Sequence, residues 1–186
     1  MPYHDRCLLF CCMLAIFVLS SCGVKTRLNR SDLKWMDIYR EGDTLVFKSD
    51  RGGIDSSFII KKEIYYPEYN QIEQHGKYLP QSGVIWYKNR NLEYHPDGYR
   101  LVDITKEHPS KKTSLAISYL YAQVLVLNLN TGSIDKYKNG KVYEFDTYHE
   151  KAKSGQPKKI FWHIDYGVVK YITHDGEIWE RINIPQ

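Results

Sequence analysis

An all-β fold, a single antiparallel sandwich or barrel of about nine to eleven short strands, is what three features of this 186-residue chain predict. Turn signals recur at short intervals: Glu41-Gly42-Asp43, Asp50-Arg51-Gly52-Gly53, Pro96-Asp97-Gly98, Asn139-Gly140 and Asp175-Gly176. The segments between them are apolar-polar alternations or β-branched runs. Sixteen tyrosines and four tryptophans add residues that suit a pleated, half-buried surface.

The first core segment begins near Leu33-Lys34-Trp35-Met36-Asp37-Ile38-Tyr39. Thr44 to Ser49 reads as a strand, and Ser57 to Tyr66 as its return after a glycine turn, ended by Pro67. Glu68 to Ser82 is polar and irregular, the longest loop-like stretch. Val84 to Tyr87, Leu92 to His95 and Tyr99 to Ile104 follow as strands, the last two separated by Pro96-Asp97-Gly98, where proline presets one φ and glycine permits the other. Leu115 to Leu129 is ambiguous, because periodicity does not separate a buried strand from a buried helix segment. One or two strands are favoured there by the β-branched positions after Val124, with a helix within 113–126 as the rival. Ile134 to Tyr137 and Val142 to Phe145 flank Asn139-Gly140, the strongest short hairpin signal. Ile160 to Ile164, Val168 to Ile172 and Glu177 to Ile182 complete an antiparallel meander with one face buried and one wet.

The N-terminus carries a different signal. Arg6 precedes the apolar run Cys7 to Leu19, which is shorter than the roughly 20 residues a spanning helix needs and ends in small residues, as a cleaved secretory signal does. Leu19-Ser20-Ser21-Cys22 resembles the lipobox of bacterial lipoproteins, with Gly23 a common follower. The resemblance implies a diacylglyceryl group on the Cys22 thiol, cleavage before Cys22 and acylation of the new amine; two or three acyl chains make a stable tether where one is marginal. Residues 1–21 are then a signal peptide, 22–31 a tether and 32–186 a single domain. Ordinary secretion, or a buried N-terminal helix, is the alternative reading of the leader. Lys/Asn/Ile/Tyr-rich composition and phrases such as Gly42-Asp43-Thr44-Leu45-Val46-Phe47 are similar to small lipoproteins of Bacteroidetes-type envelopes. Gly23-Val24-Lys25-Thr26-Arg27 has no acidic residue, which tilts the expected location to the outer membrane, facing the periplasm.

Charge and cysteine usage narrow the function classes. Arg6 and Asp5 leave together with the leader, so the mature part keeps the formal charge of +4, mildly basic and unlike a nucleic-acid binder. The pairs Lys61-Lys62, Lys111-Lys112 and Lys158-Lys159 read as solvated strand ends, or as weak attraction to anionic headgroups or acidic glycans. Cys7, Cys11 and Cys12 lie in the leader, so the mature domain has neither disulfides nor a free thiol once Cys22 is acylated. About 164 residues beyond Cys22 suffice for one core without such staples.

No cofactor or metal motif is present. His163-x-Asp165 beside His174 offers ligand types across one hairpin, but cross-strand packing explains the pair as well. Gln81-Ser82-Gly83 lacks the first glycine of a nucleophile elbow, and Glu144 with Asp146, or Glu177 with Glu180, are as easily exposed strand residues. Tyr65, Tyr66, Tyr69, Tyr78, Trp86 and Tyr87 cluster around the irregular stretch and are the candidate binding face, since Tyr and Trp add area at low entropic cost. The expected function is therefore non-catalytic: a membrane-tethered protein that binds or supports another envelope component, protein or glycan. A lipocalin-like carrier of a small apolar ligand and an envelope hydrolase are the alternatives.

Overall fold

The computed structural model describes residues 24–68, 78–126, 138–147 and 153–184. They form one helix, α1 (Arg30–Asp37), and thirteen strands, of which β1 (Val24–Lys25), β4 (Tyr78–Leu79) and β9 (Lys138–Asn139) have two residues each. The longer strands are β2 (Thr44–Ser49), β3 (Ile54–Tyr65), β5 (Gln81–Asn89), β6 (Tyr99–Lys106), β7 (Ser114–Tyr119), β8 (Ala122–Val126), β10 (Val142–Asp146), β11 (Pro157–His163), β12 (Gly167–Thr173) and β13 (Ile178–Arg181).

Eleven of them make one antiparallel sheet in the order β8-β7-β6-β5-β3-β2-β13-β12-β11-β10-β9. Tyr119 on β7 and Tyr171 on β12 are six strand steps apart, about 29 Å on a flat sheet. Their ring centroids lie 5.5 Å apart. The sheet therefore curls on itself into a nearly closed barrel, one of the two all-β forms expected. Bulges in β3, β6, β11 and β12 supply the extra twist that such curvature needs.

Helix α1 fills one end. Asn29 caps it: the Asn29 side chain accepts from the Asp32 amide at 2.9 Å while the Asp32 carboxylate accepts from the Asn29 amide at 2.9 Å. Met36 and Tyr39 point into the barrel and are fully buried. Trp35 lies 5.6 Å from Tyr143 and 5.7 Å from Trp162, and Tyr39 meets Trp162 edge to face at 5.9 Å. The Tyr39 hydroxyl accepts from the Val168 amide at 2.7 Å. Gly167 makes this fit possible. Its φ is +73°, and a Cβ there would stand 1.9 Å from the Tyr39 hydroxyl.

Several local expectations change. Residues 113–126 are the β7–β8 hairpin, while the helix lies at 30–37, where the sequence marked only the start of the core. Residues 24–31 do not behave as a free tether. Val24 and Lys25 pair with Tyr78 and Leu79, Leu28 is buried, and the helix begins at Arg30. Leu92 to His95 is irregular rather than a strand, because it climbs over the end of the barrel between β5 and β6. The segment expected from Ile134 to Tyr137, and the leader with Cys22, lie outside the described residues.

Candidate functional site

The end of the barrel opposite α1 holds a cavity of about 680 Å³. Its walls come from the β5–β6 connection (Asn91, Leu92, Glu93), the β7–β8 turn (Leu120, Tyr121), residues 153–156 and the face of β12 and β13 (Tyr171, Trp179). Asp55, the second residue of β3, reaches it from the barrel interior.

Asp55 is 2% exposed, and burying a carboxylate is costly unless its oxygens are satisfied. Here they are. Asn89 Nδ2 donates to both oxygens at 2.9 Å, Asn91 Nδ2 donates to Oδ1 at 2.8 Å and the Tyr171 hydroxyl to Oδ2 at 3.4 Å. Asn89 Nδ2 also reaches Ser57 Oγ at 2.8 Å, and Ser57 Oγ contacts the Tyr119 hydroxyl at 3.0 Å. Burial raises the Asp55 pKa above the usual carboxylate range, with the bonds from Asn89, the Ser56 amide, Tyr171 and Asn91 acting against it. The same burial pushes the Tyr119 and Tyr171 phenols upward, and the neighbouring carboxylate adds to the shift.

Beneath the cavity runs a file of rings. Trp179 stacks on Tyr171 at 5.6 Å, Tyr171 meets Tyr119, Tyr119 stacks on Tyr87 at 5.5 Å, Tyr87 meets Tyr99, and Tyr99 meets Tyr121 edge to face at 5.3 Å. Trp179 keeps its place because Gly53 is beside it, where a Cβ would come within 2.8 Å of the indole. At the other rim, Leu120 and Tyr121 both hold positive φ, 50° and 66°. This two-residue turn needs a left-handed backbone at both positions, which Asn-Gly adopts far more easily than Leu-Tyr. The strain is held locally. Tyr87 accepts from the Leu120 amide at 2.8 Å, and the Tyr121 hydroxyl accepts from the Glu93 amide at 3.2 Å and contacts the Tyr99 hydroxyl at 3.1 Å. That last contact is the largest cause pushing the Tyr99 phenol up to about 12. Strained non-glycine residues persist where surrounding structure fixes them, and here they form a cavity rim.

No protein-family model, curated protein or solved structure matches the chain.

The residues expected to form an aromatic binding face are not in this cavity. Tyr87 is 1% exposed and belongs to the core, on the opposite side of β5 from Trp86, as strand alternation requires. Trp86 is half-buried on the outer surface, where its Nε1 donates to Glu63 at 3.0 Å and Arg100 lies over its ring. Tyr65, Tyr66 and Tyr78 stand at the α1 end. Tyr66 donates to the Thr26 carbonyl at 2.9 Å, and Tyr78 packs on His108. Tyr69 lies outside the described residues. His163 is a packing and turn residue: it stacks on Tyr166, and its Nδ1 accepts from the Asp165 amide at 3.1 Å. Among the described residues no three His, Cys, Asp or Glu side chains are placed to hold one metal ion.

Sequence reasoning missed Asp55, Asn89 and Asn91 as a unit. Asp55 follows a glycine turn and opens a strand, and the two asparagines bracket another turn. All three read as turn chemistry until β3 and β5 are paired.

Proposed function

We propose that this chain is a lipid-anchored envelope protein, tethered through Cys22, whose barrel binds a polar group of another envelope component in the cavity above Asp55. The expected setting is the outer membrane, facing the periplasm. The observation that carries the binding role is the composition of the cavity: Asn91, Gln156, Glu93, Glu177 and Lys153 beside Tyr121 and Trp179. Aromatic faces with a few convergent polar groups suit a hydroxyl-rich ligand such as a glycan end, with ring stacking for area and amides for orientation.

The same geometry disfavours the carrier of an apolar ligand. Between α1 and Asp55 the barrel is filled by Met36, Phe47, Tyr87, Ile117, Tyr119 and Tyr171, and the space that remains has a carboxylate floor. The presence of Asp55, Glu93 and Glu177 around one cavity favours a hydrolase as the second reading. Against it, both Asp55 oxygens are occupied by side-chain donors, so the group is built to be held rather than to pass a proton.

Titration calorimetry of the protein against a panel of soluble envelope saccharides, repeated with Trp179→Ala and Asn91→Ala, tests the proposal. Saccharide binding that drops about tenfold in both variants supports it, a loss of roughly 1.4 kcal/mol each. Binding indifferent to both substitutions rejects the cavity, and saccharide cleavage selects the hydrolase.

A further inference from the structure

We infer that the α1 end of the barrel, around β1, β4 and the end of β3, is the face that rests on the lipid surface, so that the cavity opens away from it. The inference rests on the lipid-anchor reading of Cys22.

The covalent argument comes first. Val24 and Lys25 are paired into β1, so only Gly23 separates the paired strand from Cys22. Two residue steps reach at most about 7 Å. Acyl chains on Cys22 therefore enter the bilayer beside β1, and the domain has no slack in which to turn over.

The second argument is where β1 sits. Thr26 ties it to the barrel: its amide donates to the Leu79 carbonyl at 2.9 Å, its hydroxyl bonds the Lys106 carbonyl and accepts from the Gln81 amide at 3.0 Å. Gln81 begins β5, Lys106 ends β6, and Tyr65 at the end of β3 pairs with Ser82. All three lie at one end. Asp55, Asn89 and Tyr99 lie at the other ends of the same strands. Ten residue steps along β3 separate Tyr65 from Asp55, about 30 Å. The cavity is thus a full strand length from the anchor.

The surface chemistry at the anchor end fits a lipid headgroup layer. Val24, Ile64 and Tyr65 are exposed apolar side chains, and Tyr and Trp favour the membrane interface. Lys25, Arg27, Arg30, Lys34, Arg40 and Lys111 are exposed cations at this end, against the exposed acids Asp37, Glu41, Glu68 and Glu107. Lys111 belongs to the β6–β7 connection, which His108 pins against Tyr78. A net cationic rim next to acyl chains is complementary to anionic lipid.

A competing orientation exists on the same surface. Ile54, Phe58 and Ile60 are exposed along the outer face of β3, and a domain lying on that stripe would turn the cavity sideways. Single-cysteine variants separate the two, because acylated Cys22 leaves the introduced thiol as the one that reacts. The lipidated protein in vesicles of phosphatidylethanolamine with phosphatidylglycerol is labelled with a fluorophore at Tyr65→Cys, Phe58→Cys or Tyr94→Cys, and quenched with nitroxide-bearing lipid. Lys25→Cys serves as a second anchor-end label. Quenching several-fold stronger at Tyr65 and Lys25 than at Tyr94, with Phe58 between, supports the inference. Quenching at Phe58 equal to or above that at Tyr65, or strongest at Tyr94, overturns the orientation while leaving the anchor in place. A mass without acyl chains on Cys22 overturns the anchor reading itself, and the orientation with it.

Discussion

The two ends of the barrel are closed by opposite kinds of chemistry. At the α1 end, Met36, Tyr39 and Trp162 are sealed by apolar and ring contacts, and the buried polar groups there, Tyr39, Thr26 and Asp32, bond chiefly to backbone amides and carbonyls. At the cavity end, a carboxylate, two asparagines, a serine and two tyrosine hydroxyls share one network that is equally buried on its inner side. Apolar closure is the inexpensive solution, worth about 25 cal/mol for each Å² removed from water. Polar closure gains little net stability and depends on every partner being present. A fold that uses the first at one end and the second at the other has placed its costly chemistry where a ligand can meet it.

The comparison breaks most visibly at Trp162. Trp162→Ala removes the side chain on which both Trp35 and Tyr39 pack, and about 3–5 kcal/mol of stability is expected to go with it in urea unfolding. A loss under about 1 kcal/mol would mean that α1 does not depend on ring packing. Next is Gly167→Ala. The added methyl meets the buried Tyr39 hydroxyl and also takes up a positive φ, so about 3 kcal/mol is expected by the same measurement.

Asp55→Asn sharpens the other side. It sets an amide against the donors of Asn89, Asn91 and Tyr171, and costs about 1–3 kcal/mol. The pH dependence carries a sign. A carboxyl whose folded pKa is raised contributes most below its unfolded value, ordinarily 3.8, and that contribution fades as pH rises through the folded value. Urea midpoints collected upward from about pH 4 should therefore show the wild-type advantage over Asp55→Asn shrinking. An advantage that grows with pH would place the folded pKa below the ordinary value. The smallest effect belongs to Gly53→Ala, which displaces the half-exposed Trp179 ring with less than about 1 kcal/mol of stability change but alters indole fluorescence and cavity binding. Unchanged fluorescence would mean that Trp179 is not held by that contact.

The strands legible beforehand were those with their own punctuation. Thr44 to Ser49, Tyr99 to Ile104, Val142 to Phe145 after Asn139-Gly140, and the segments around Asp175-Gly176 carry alternation and turn residues within a few positions of each other. Helix α1 was not legible as a helix because eight residues give barely two turns of period, and its stability comes from packing into the barrel rather than from propensity. The β7–β8 turn was hidden for the opposite reason: Leu120-Tyr121 breaks the residue rule for its own conformation, and Tyr87, Tyr99 and the Glu93 amide, all distant in sequence, hold it.

The candidate site was the least legible part. Aromatic richness pointed to Tyr65, Tyr66, Tyr78 and Trp86, which decorate the surface of the other end and the outer wall, and to Tyr87, which is core. Composition registers that rings are abundant but not which face of the sheet receives them, and a one-residue step along β5 sends Trp86 outward and Tyr87 inward.

By itself the sequence determined an all-β architecture and the turns that carry glycine, proline or asparagine, because alternation and turn chemistry act within a few residues of chain. It also carries the whole of the lipobox resemblance, which is a linear pattern. The tertiary structure alone decided that the sheet closes, that α1 fills one end, and that Asp55, Asn89, Asn91 and Tyr171 meet beneath a cavity at the other. Those residues are spread over more than a hundred positions, and nothing local relates them. Curling the sheet brings them together, and the cost of burying one carboxylate selects the amides and hydroxyl that surround it.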